Sequence, residues 1–209
     1  MLEDISSLAR RQKYGGLPKR LLDIAVAISG LIIAALPMAL CALAIWIESG
    51  GPVIFRQSRV GADRRNFTCY KFRTMSADAP HECATAQLDH PERYITRVGG
   101  FLRRTSLDEL PQLFNVLRGD MSLIGPRPVI PSEQELVGLR DSLGVYGIRP
   151  GMTGLAQIRG RDAVSIHRKA AYDAQYVERM SFGYDFVLLL QTLVNVVLCR
   201  NVREGRPNA

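Results

Sequence analysis

The longest uncharged apolar run of the chain, from Ile24 to Ile47, constrains the fold more than any other feature. It exceeds the roughly 20 residues that an α-helix needs to span the core of a bilayer. A buried core helix of that length would be unusual in a chain of 209 residues. A secretory signal peptide fits less well, because its apolar region typically has only about 7–15 residues. We therefore expect the run to insert into a membrane.

Two details of this run bear on its topology. Pro37 lies near its middle, where it removes one backbone hydrogen bond and leaves two halves that are each too short to cross a bilayer alone. Positively charged residues, which mark the cytoplasmic side of a membrane segment, occur on both flanks. They are Arg10, Arg11, Lys13, Lys19 and Arg20 before the run, and Arg56, Arg59, Arg64, Arg65, Lys71 and Arg73 after it. This pattern favours a re-entrant helix–break–helix hairpin, with a kinked single span as the alternative.

The composition narrows the class of protein. A net charge of +7, from 27 Lys and Arg against 20 Asp and Glu, favours anionic partners such as phosphate-bearing substrates, acidic membrane surfaces or nucleic acid. The four cysteines are scattered and form no C-x-x-C motif, which argues against a disulfide framework or a structural zinc site. The sequence has no P-loop, dinucleotide fingerprint, G-x-S-x-G elbow or kinase catalytic loop.

Beyond residue 50 the pattern predicts an α+β fold that is mostly helical with a small β element. Val53–Phe55 and Phe67–Met75 are predicted strands, and Val164–Arg179 is a predicted helix. Phe186–Leu198 is apolar, interrupted by polar residues and too short to span, so we expect an interfacial helix along the headgroups. A buried core helix is the alternative there. The predicted organisation is a basic N-terminus with the membrane helix over residues 1–50, followed by a domain on the cytoplasmic face over residues 51–209.

A second helix is predicted to begin at Ser106, because Ser106 and Glu109 form the S-x-x-E pattern of a capping box. Asp108 and Glu109 then fall in the first turn, where acidic side chains commonly do no more than favour the helix dipole. Arg103 and Arg104 lie just upstream, and carboxylates beside guanidinium groups at a helix N-terminus suit phosphoryl chemistry. Asp108 is therefore a candidate nucleophile towards phosphorus or a candidate Mg²⁺ ligand.

Four stretches of the chain closely resemble the bacterial sugar transferase family, the monotopic phosphoglycosyl transferases that act on polyprenol phosphate. They are Tyr70–Met75 (YKFRTM), Ser106–Leu113 (SLDELPQL), Gly119–Pro128 (GDMSLIGPRP) and Arg149–Gln157 (RPGMTGLAQ), the last followed by Gly160-Arg161. The resemblance extends from about Lys19 to Arg200 and keeps these motifs in one order. It implies a re-entrant membrane helix broken at a Ser-Pro pair, where this chain has Leu36-Pro37.

The resemblance implies an enzyme that transfers a phospho-sugar from a UDP-sugar to a membrane polyprenol phosphate, such as undecaprenyl phosphate, and releases UMP. Asp108 would be the nucleophile of a ping-pong scheme with an aspartyl-phosphosugar intermediate, and Glu109 would assist it. Mg²⁺ held by Asp108 would neutralise the diphosphate. Residues 51–209 would form the catalytic domain at the cytoplasmic face of the bacterial inner membrane, in contact with its lipids. The reaction would be the first membrane step of polysaccharide or glycoconjugate assembly.

The resemblance also implies a set of substrate-binding residues. Lys71 and Arg103 match positions suited to phosphate contacts, and Arg127 matches the part of the family associated with nucleotide binding. Gln157 and Asp173 match further family positions, to which the sequence assigns no role. A hypothesis from a different class is a membrane-anchored basic module that binds anionic lipid or nucleic acid without catalysis, whereas the enzyme hypothesis involves no nucleic acid.

Overall fold

The computed structural model describes residues 15–80, 90–160 and 164–198 of the chain. The N-terminal basic residues Arg10, Arg11 and Lys13, and Arg161 of the last family motif, lie outside the described residues. The described α-helices are α1 (Leu17–Ser49), α2 (Arg97–Thr105), α3 (Gln112–Arg118), α4 (Gln134–Ser142), α5 (Leu155–Ile158), α6 (Ile166–Arg179) and α7 (Phe182–Val197). The described strands are β1 (Ile54–Val60), β2 (Asn66–Phe72), β3 (Ser122–Ile124) and β4 (Gly151–Thr153). The predicted α+β class, helical with a small β element, is confirmed.

The apolar run forms the central part of α1. Among the described residues α1 is the helix long and apolar enough to cross a membrane, with a mean hydropathy of 2.5 over 18 residues. At 1.5 Å per residue it is about 50 Å long. It passes through Pro37 as one helix, so the two half-helices that the sequence predicts are not separate elements. A single interior proline removes one hydrogen bond, and the turns on either side of it can still continue the helix.

One face of α1 packs along the rest of the chain. Its buried residues recur at helical spacing and are Lys19, Asp23, Ala27, Cys41 and Ile45. The opposite face exposes large apolar side chains, which include Ile32, Ile33, Leu36, Leu40, Trp46 and Ile47. An exposed apolar surface of this extent marks a contact with a membrane or a partner. The helix therefore has the amphipathic character of a membrane-associated element that also belongs to the core.

Polar side chains fasten the beginning of α1 to the domain. Lys19 is buried and pairs with Asp185 of α7. Arg20 donates hydrogen bonds to the carbonyl oxygens of Val116 (2.5 Å) and Leu117 (2.7 Å), at the C-terminal end of α3. Unsatisfied carbonyls at a helix C-terminus attract cations, so Arg20 caps α3. Lys19 and Arg20, which the sequence analysis assigned to the basic flank, are thus bound inside the protein.

The end of α1 is fastened to the same domain. Glu48 accepts a hydrogen bond from the backbone N–H of Arg97 at 2.8 Å, which satisfies a donor in the first turn of α2. Arg73 is buried and donates to Ser49 Oγ at 2.7 Å and to the carbonyl oxygen of Gly50. The charge of Arg73 is therefore also used internally. Both ends of the 33-residue helix contact one folded unit.

Strands β1 and β2 form an antiparallel hairpin in which Gln57 faces Cys69 and Phe55 faces Lys71. The first strand is longer than predicted and the second ends earlier, because the two strands pair in register from Ile54 to Val60. Phe72 packs in a hydrophobic cluster with Cys41, Ile45 and Leu102, which joins the hairpin to α1 and α2.

A second, parallel pair joins β3 to β4. Gly154 lies so close to this pair that an added Cβ would sit 2.1 Å from the carbonyl oxygen of Gly125, so no larger residue fits. The largest core cluster packs α1, α3, α6 and α7 around β3, through residues such as Leu113, Met121, Tyr176 and Leu188. This core fixes the end of β3 at Ile124, two residues before Pro126, which begins the P-R-P segment Pro126–Pro128.

The helix predicted from Ser106 differs in structure. Ser106 ends α2 with a left-handed backbone (φ 59°) and its side chain makes no capping hydrogen bond, so the predicted capping box is wrong. An N-cap needs an extended backbone, which Ser106 does not have. The chain instead forms a 3₁₀ turn over Leu107–Glu109, and α3 begins after Pro111. Gly119 ends α3 with φ 90°, as the sequence predicts.

The last two helices agree with the sequence apart from their starts. Ser165 caps α6 by accepting from the backbone N–H of Arg168. Ser181 caps α7 in the same way, so α7 begins four residues before the predicted Phe186. Leu188 of α7 is buried, whereas Phe182, Phe186 and other apolar side chains of this helix are exposed. The exposed side matches an interfacial helix better than a fully buried one.

Candidate active site

The 3₁₀ turn places the two acidic residues between α2 and α3. The left-handed Ser106 reverses the chain at the end of α2, and Pro111 precedes the first residue of α3. The turn between them has only three residues, Leu107–Glu109. Asp108 is buried in this turn, and Glu109 is partly buried beside it. Two adjacent carboxylates at the edge of the core need cationic partners to remain ionised.

Glu109 has two cationic partners on a single oxygen. Lys71 Nζ lies 3.0 Å and Arg127 Nη2 lies 2.9 Å from Glu109 Oε1. The side chains keep exposed fractions of 18% for Lys71, 13% for Glu109 and 24% for Arg127, so solvent or a ligand can still reach the cluster. The structure thus brings together three of the residues that the family resemblance selected. The two cations carry one more charge than Glu109 neutralises.

The hairpin adds a further cation on the same face. Phe55, Gln57 and Arg59 are every second residue of β1, so their side chains share one face of the hairpin. Lys71 is the cross-strand partner of Phe55 and therefore lies on the same face. Arg59 donates to Gln57 Oε1 at 2.5 Å and to the carbonyl oxygen of Pro128 at 3.2 Å.

Cys69 is a buried residue of the same hairpin face, opposite Gln57. Burial raises the pKa of its thiol, whereas Lys71, Arg59 and Arg127 act to lower it and Glu109 to raise it. Flanking charge alone predicts only a membrane-surface role for Arg59, whereas its spacing of two and four residues from Gln57 and Phe55 places it on the face of Lys71.

Arg103 lies in the last turn of α2, just before the acidic turn. Its Nε donates to Thr74 Oγ1 at 2.8 Å, which ties α2 to the segment that follows β2. Gly99 allows this approach, because a Cβ there would sit 2.0 Å from the carbonyl oxygen of Thr74. Three residues of the Y-K-F-R-T-M motif thus make separate contacts. Lys71 contacts Glu109, Arg73 contacts the end of α1, and Thr74 contacts Arg103.

Asp173 and Gln157 occupy different surroundings from the acidic turn. Asp173 accepts from Arg140 Nε (2.9 Å) and Nη2 (2.5 Å), and both side chains are almost fully buried. Burial raises the pKa of the Asp173 carboxyl, and the Arg140 guanidinium opposes that rise. Gln157 donates to the carbonyl oxygen of Met152 at 3.4 Å, and its own buried Oε1 has no hydrogen-bond partner among the described residues.

Asn115 is a buried polar residue that sequence reasoning missed. Its Oδ1 accepts from the backbone N–H of Tyr70 at 3.0 Å, and its Nδ2 donates to the carbonyl oxygen of Thr68 at 2.7 Å. The side-chain amide of Asn115 therefore joins α3 to β2 by bonding one backbone N–H and one carbonyl oxygen of that strand. This contact sets the distance between the acidic turn, which precedes α3, and Lys71, which follows Tyr70. Nothing in the local sequence pattern distinguishes this asparagine from an exposed one.

Comparison with known proteins identifies the family. A family model described as bacterial sugar transferase matches residues 14–199. The chain belongs to the bacterial sugar transferase family. The resemblance inferred from the motifs is thereby confirmed, and the match covers all of the described residues of the acidic turn, the hairpin and the P-R-P segment.

Several relatives of this sugar transferase are similar over most of its length. The exopolysaccharide production protein ExoY of Rhizobium meliloti is 39% identical over 203 residues, which cover 89% of this chain and 88% of the relative. The UDP-glucose:undecaprenyl-phosphate glucose-1-phosphate transferase of Caulobacter vibrioides is 40% identical over 194 residues (88% and 72%). The undecaprenyl-phosphate galactose phosphotransferase of Salmonella typhimurium is 39% identical over 201 residues, but only 41% of that relative is covered.

The chemistry of the transferase site is compatible with Mg²⁺. Among the described residues, no three His, Cys, Asp or Glu side chains form a metal-binding group. Mg²⁺ that is bound together with substrate phosphates needs only one or two carboxylates and keeps several waters. The acidic turn has two adjacent carboxylates, Asp108 and Glu109, which is the number that such an ion needs.

Proposed function

We propose that this chain is a UDP-sugar:polyprenol-phosphate sugar-phosphate transferase in which Asp108 is the nucleophile. The names of the relatives from Caulobacter and Salmonella support undecaprenyl phosphate as the acceptor and a UDP-sugar as the donor. The observation that carries the role of Asp108 is its burial next to Glu109, whose oxygen Lys71 and Arg127 share. That arrangement places a buried carboxylate next to cations that can meet incoming phosphates.

The proposed reaction has two displacements at one phosphorus atom. First, an Asp108 carboxylate oxygen attacks the β-phosphorus of the UDP-sugar. The bond from that phosphorus to the bridging oxygen breaks, and UMP leaves with the electron pair. Second, a phosphate oxygen of the polyprenol phosphate attacks the same phosphorus, the bond to Asp108 breaks, and a polyprenyl diphosphate sugar leaves. Covalent catalysis of this kind divides an encounter between two anionic substrates into separate steps.

The cationic residues lower the electrostatic cost of both displacements. Lys71 and Arg127 contact Glu109, and Arg59 lies on the same face of the hairpin as Lys71 and contacts Pro128. Preorganised cations of this kind stabilise charge that develops on phosphoryl and leaving-group oxygens. Mg²⁺ bound through Asp108 would supply further charge neutralisation for the diphosphate. Arg103 is proposed to contact phosphate from the other side of the acidic turn.

We further propose that α1 enters and leaves the membrane by the cytoplasmic face. The support is that Lys19 at one end contacts Asp185 while Ser49 at the other end contacts Arg73, within one domain. A helix of about 50 Å that crossed a core of about 30 Å would hold its ends on opposite sides of it. The exposed apolar face of α7 is proposed to lie in the same interface.

The topology is tested by cysteine labelling at positions 16 and 49, which are both exposed, in sealed vesicles of known orientation. We expect a membrane-impermeant thiol reagent to label both positions from the cytoplasmic side. Cys41 and Cys69 are buried, Cys83 and Cys199 are replaced by serine in the parent chain, and that parent chain without the added cysteine measures any residual labelling. Labelling of the two positions from opposite sides would establish a true span.

The nucleophile is tested by Asp108→Asn. The amide cannot form the acyl phosphate, so we expect UMP release from UDP-sugars to fall by at least about 10³-fold, in the range seen when other covalent catalysts lose their nucleophile. Asp141→Asn, which changes an exposed aspartate, is the control and is expected to leave the rate unchanged. The assignment fails if Asp108→Asn releases UMP at the rate of the unmodified enzyme. A folded enzyme that releases no UMP from any UDP-sugar would instead favour a non-catalytic anion-binding module.

A further inference from the structure

Two buried or partly buried arginines hold the backbone of the P-R-P segment. Arg140 Nη1 donates to the carbonyl oxygen of Arg127 at 2.8 Å, and Arg59 Nη1 donates to the carbonyl oxygen of Pro128 at 3.2 Å. The side chain of Arg127 continues from this fixed backbone to Glu109. The direction of the Arg127 guanidinium therefore depends on the contacts that Arg140 and Arg59 make with the backbone carbonyl oxygens of Arg127 and Pro128.

Arg140 is in turn held by Asp173. The carboxylate oxygen Asp173 Oδ2 accepts from both Nε and Nη2 of Arg140, and the exposed fractions of the two side chains are 3% and 1%. Nη1 remains available for the carbonyl oxygen of Arg127. A fully buried ion pair is often no more stabilising than a pair of apolar residues of similar volume. Stability alone therefore does not account for charged residues at these two positions.

We propose that Asp173 and Arg140 are positioning residues that aim Arg127 at Glu109 and at the phosphates of the nucleotide sugar. Neither residue touches substrate in this arrangement; both act through the carbonyl oxygen of Arg127. This inference rests on the proposed function and explains why Asp173, which is remote from the acidic turn along the chain, belongs to the site. A displacement of a catalytic group by about 1 Å can lower the rate by about 10²-fold.

A double-mutant cycle tests whether the pair acts through Arg127. The first change replaces the pair together, Arg140→Met with Asp173→Leu, so that no buried charge is left alone. The second change is Arg127→Ala. We expect the paired replacement to lower kcat/KM for the UDP-sugar by about 10²-fold in the native enzyme. In the Arg127→Ala background it should lower kcat/KM by less than about twofold, because residues that act as a unit have non-additive effects.

Thermal unfolding and a second variant separate positioning from folding. Arg140→Lys keeps the charge opposite Asp173 but replaces the planar fork with one ammonium, which cannot reproduce the three donations. It should reproduce the loss of kcat/KM even if the Met and Leu replacement lowers Tm. Arg64→Gln, which breaks the exposed pair with Asp141 next to Arg140, is the matched control and should leave both kcat/KM and Tm unchanged.

The inference is overturned if the paired replacement keeps native kcat/KM, or if its effect is the same with and without Arg127. The cycle uses the measured rate of UMP release and does not depend on which residue is the nucleophile. An active Asp108→Asn enzyme with a non-additive cycle would reject the proposed nucleophile alone. An inactive Asp108→Asn enzyme with an additive cycle would reject the positioning role alone. The same cycle measured on the Kd for UDP provides a readout that needs no turnover.

Discussion

Two ion-pair networks meet at Arg127, and they differ in burial and in charge balance. The network around Glu109 is partly open to solvent and has more cations than anions. The Arg140–Asp173 pair is closed to solvent and balanced, with one charge of each sign. An open network with surplus positive charge can take up a phosphate, whereas a closed balanced pair has no charge left for a ligand. The comparison separates the residues that we propose to contact substrate from the residues that we propose to hold Arg127 in place.

The largest predicted effect on activity in this comparison belongs to Glu109→Gln. The amide keeps the shape but removes the charge that holds Lys71 and Arg127 on one oxygen. We expect kcat/KM for the UDP-sugar to fall by about 10²–10³-fold, because preorganised electrostatics at the reacting phosphorus are lost. The free energy of unfolding should fall by less than the roughly 3–5 kcal/mol expected for a fully buried pair, since all three side chains remain partly solvated.

Steady-state kinetics and urea denaturation of the same preparation measure both quantities for Glu109→Gln. A variant with native kcat/KM, or one that loses activity only in proportion to its unfolded fraction, would contradict an active-site role for Glu109.

Asp173→Ala should lower the free energy of unfolding more than Glu109→Gln does. Removing this carboxylate leaves the Arg140 guanidinium buried without its anion, which costs about 3–5 kcal/mol of unfolding free energy. The paired replacement with apolar residues should restore most of that stability without restoring activity. Urea denaturation midpoints of the two variants check the prediction. If Asp173→Ala is as stable as the native chain, the pair is not closed to solvent in the way that the structure indicates.

A smaller effect is expected at Arg59, which contributes both to the surplus charge and to the hold on Pro128. Arg59→Ala should raise KM for the UDP-sugar by about tenfold, the equivalent of one charge-assisted contact. Arg56→Ala is the matched control, because Arg56 lies on the same strand, is exposed and alternates to the opposite face. Equal KM values for the two variants would remove Arg59 from the site.

The sequence predicted the parts of the molecule that depend on local pattern or on family motifs. The apolar run predicted α1, Gly119 predicted the end of α3, and the motifs selected Lys71, Glu109 and Arg127, which the structure brings together. Ser106 shows where local pattern fails. Its capping-box spacing was present, but the backbone of Ser106 is set by its place at the end of α2 rather than by the residues that follow it.

Long-range polar contacts were beyond the reach of the sequence. Arg140 and Asn115 carry no local mark, because the partners through which they act on the site (Arg127, Asp173 and Thr68) lie 13 to 47 residues away along the chain. The basic flank shows the same limit of pattern reasoning in another form. Lys19, Arg20 and Arg73 were counted as charges at a membrane surface, whereas the structure uses all three for internal contacts. The contacts at the two ends of α1, rather than the flanking charge, are the support for the proposal that both ends lie on one side of the membrane.

The most direct test of the covalent role of Asp108 is the intact mass of the purified enzyme after incubation with a UDP-sugar and Mg²⁺ in the absence of polyprenol phosphate. We predict a mass increase equal to one phospho-sugar, mapped to Asp108 by peptide sequencing and lost when polyprenol phosphate is added. The Asp108→Asn variant should show no increase. Turnover without any adduct, or an adduct mapped to another residue, would contradict Asp108 as the nucleophile.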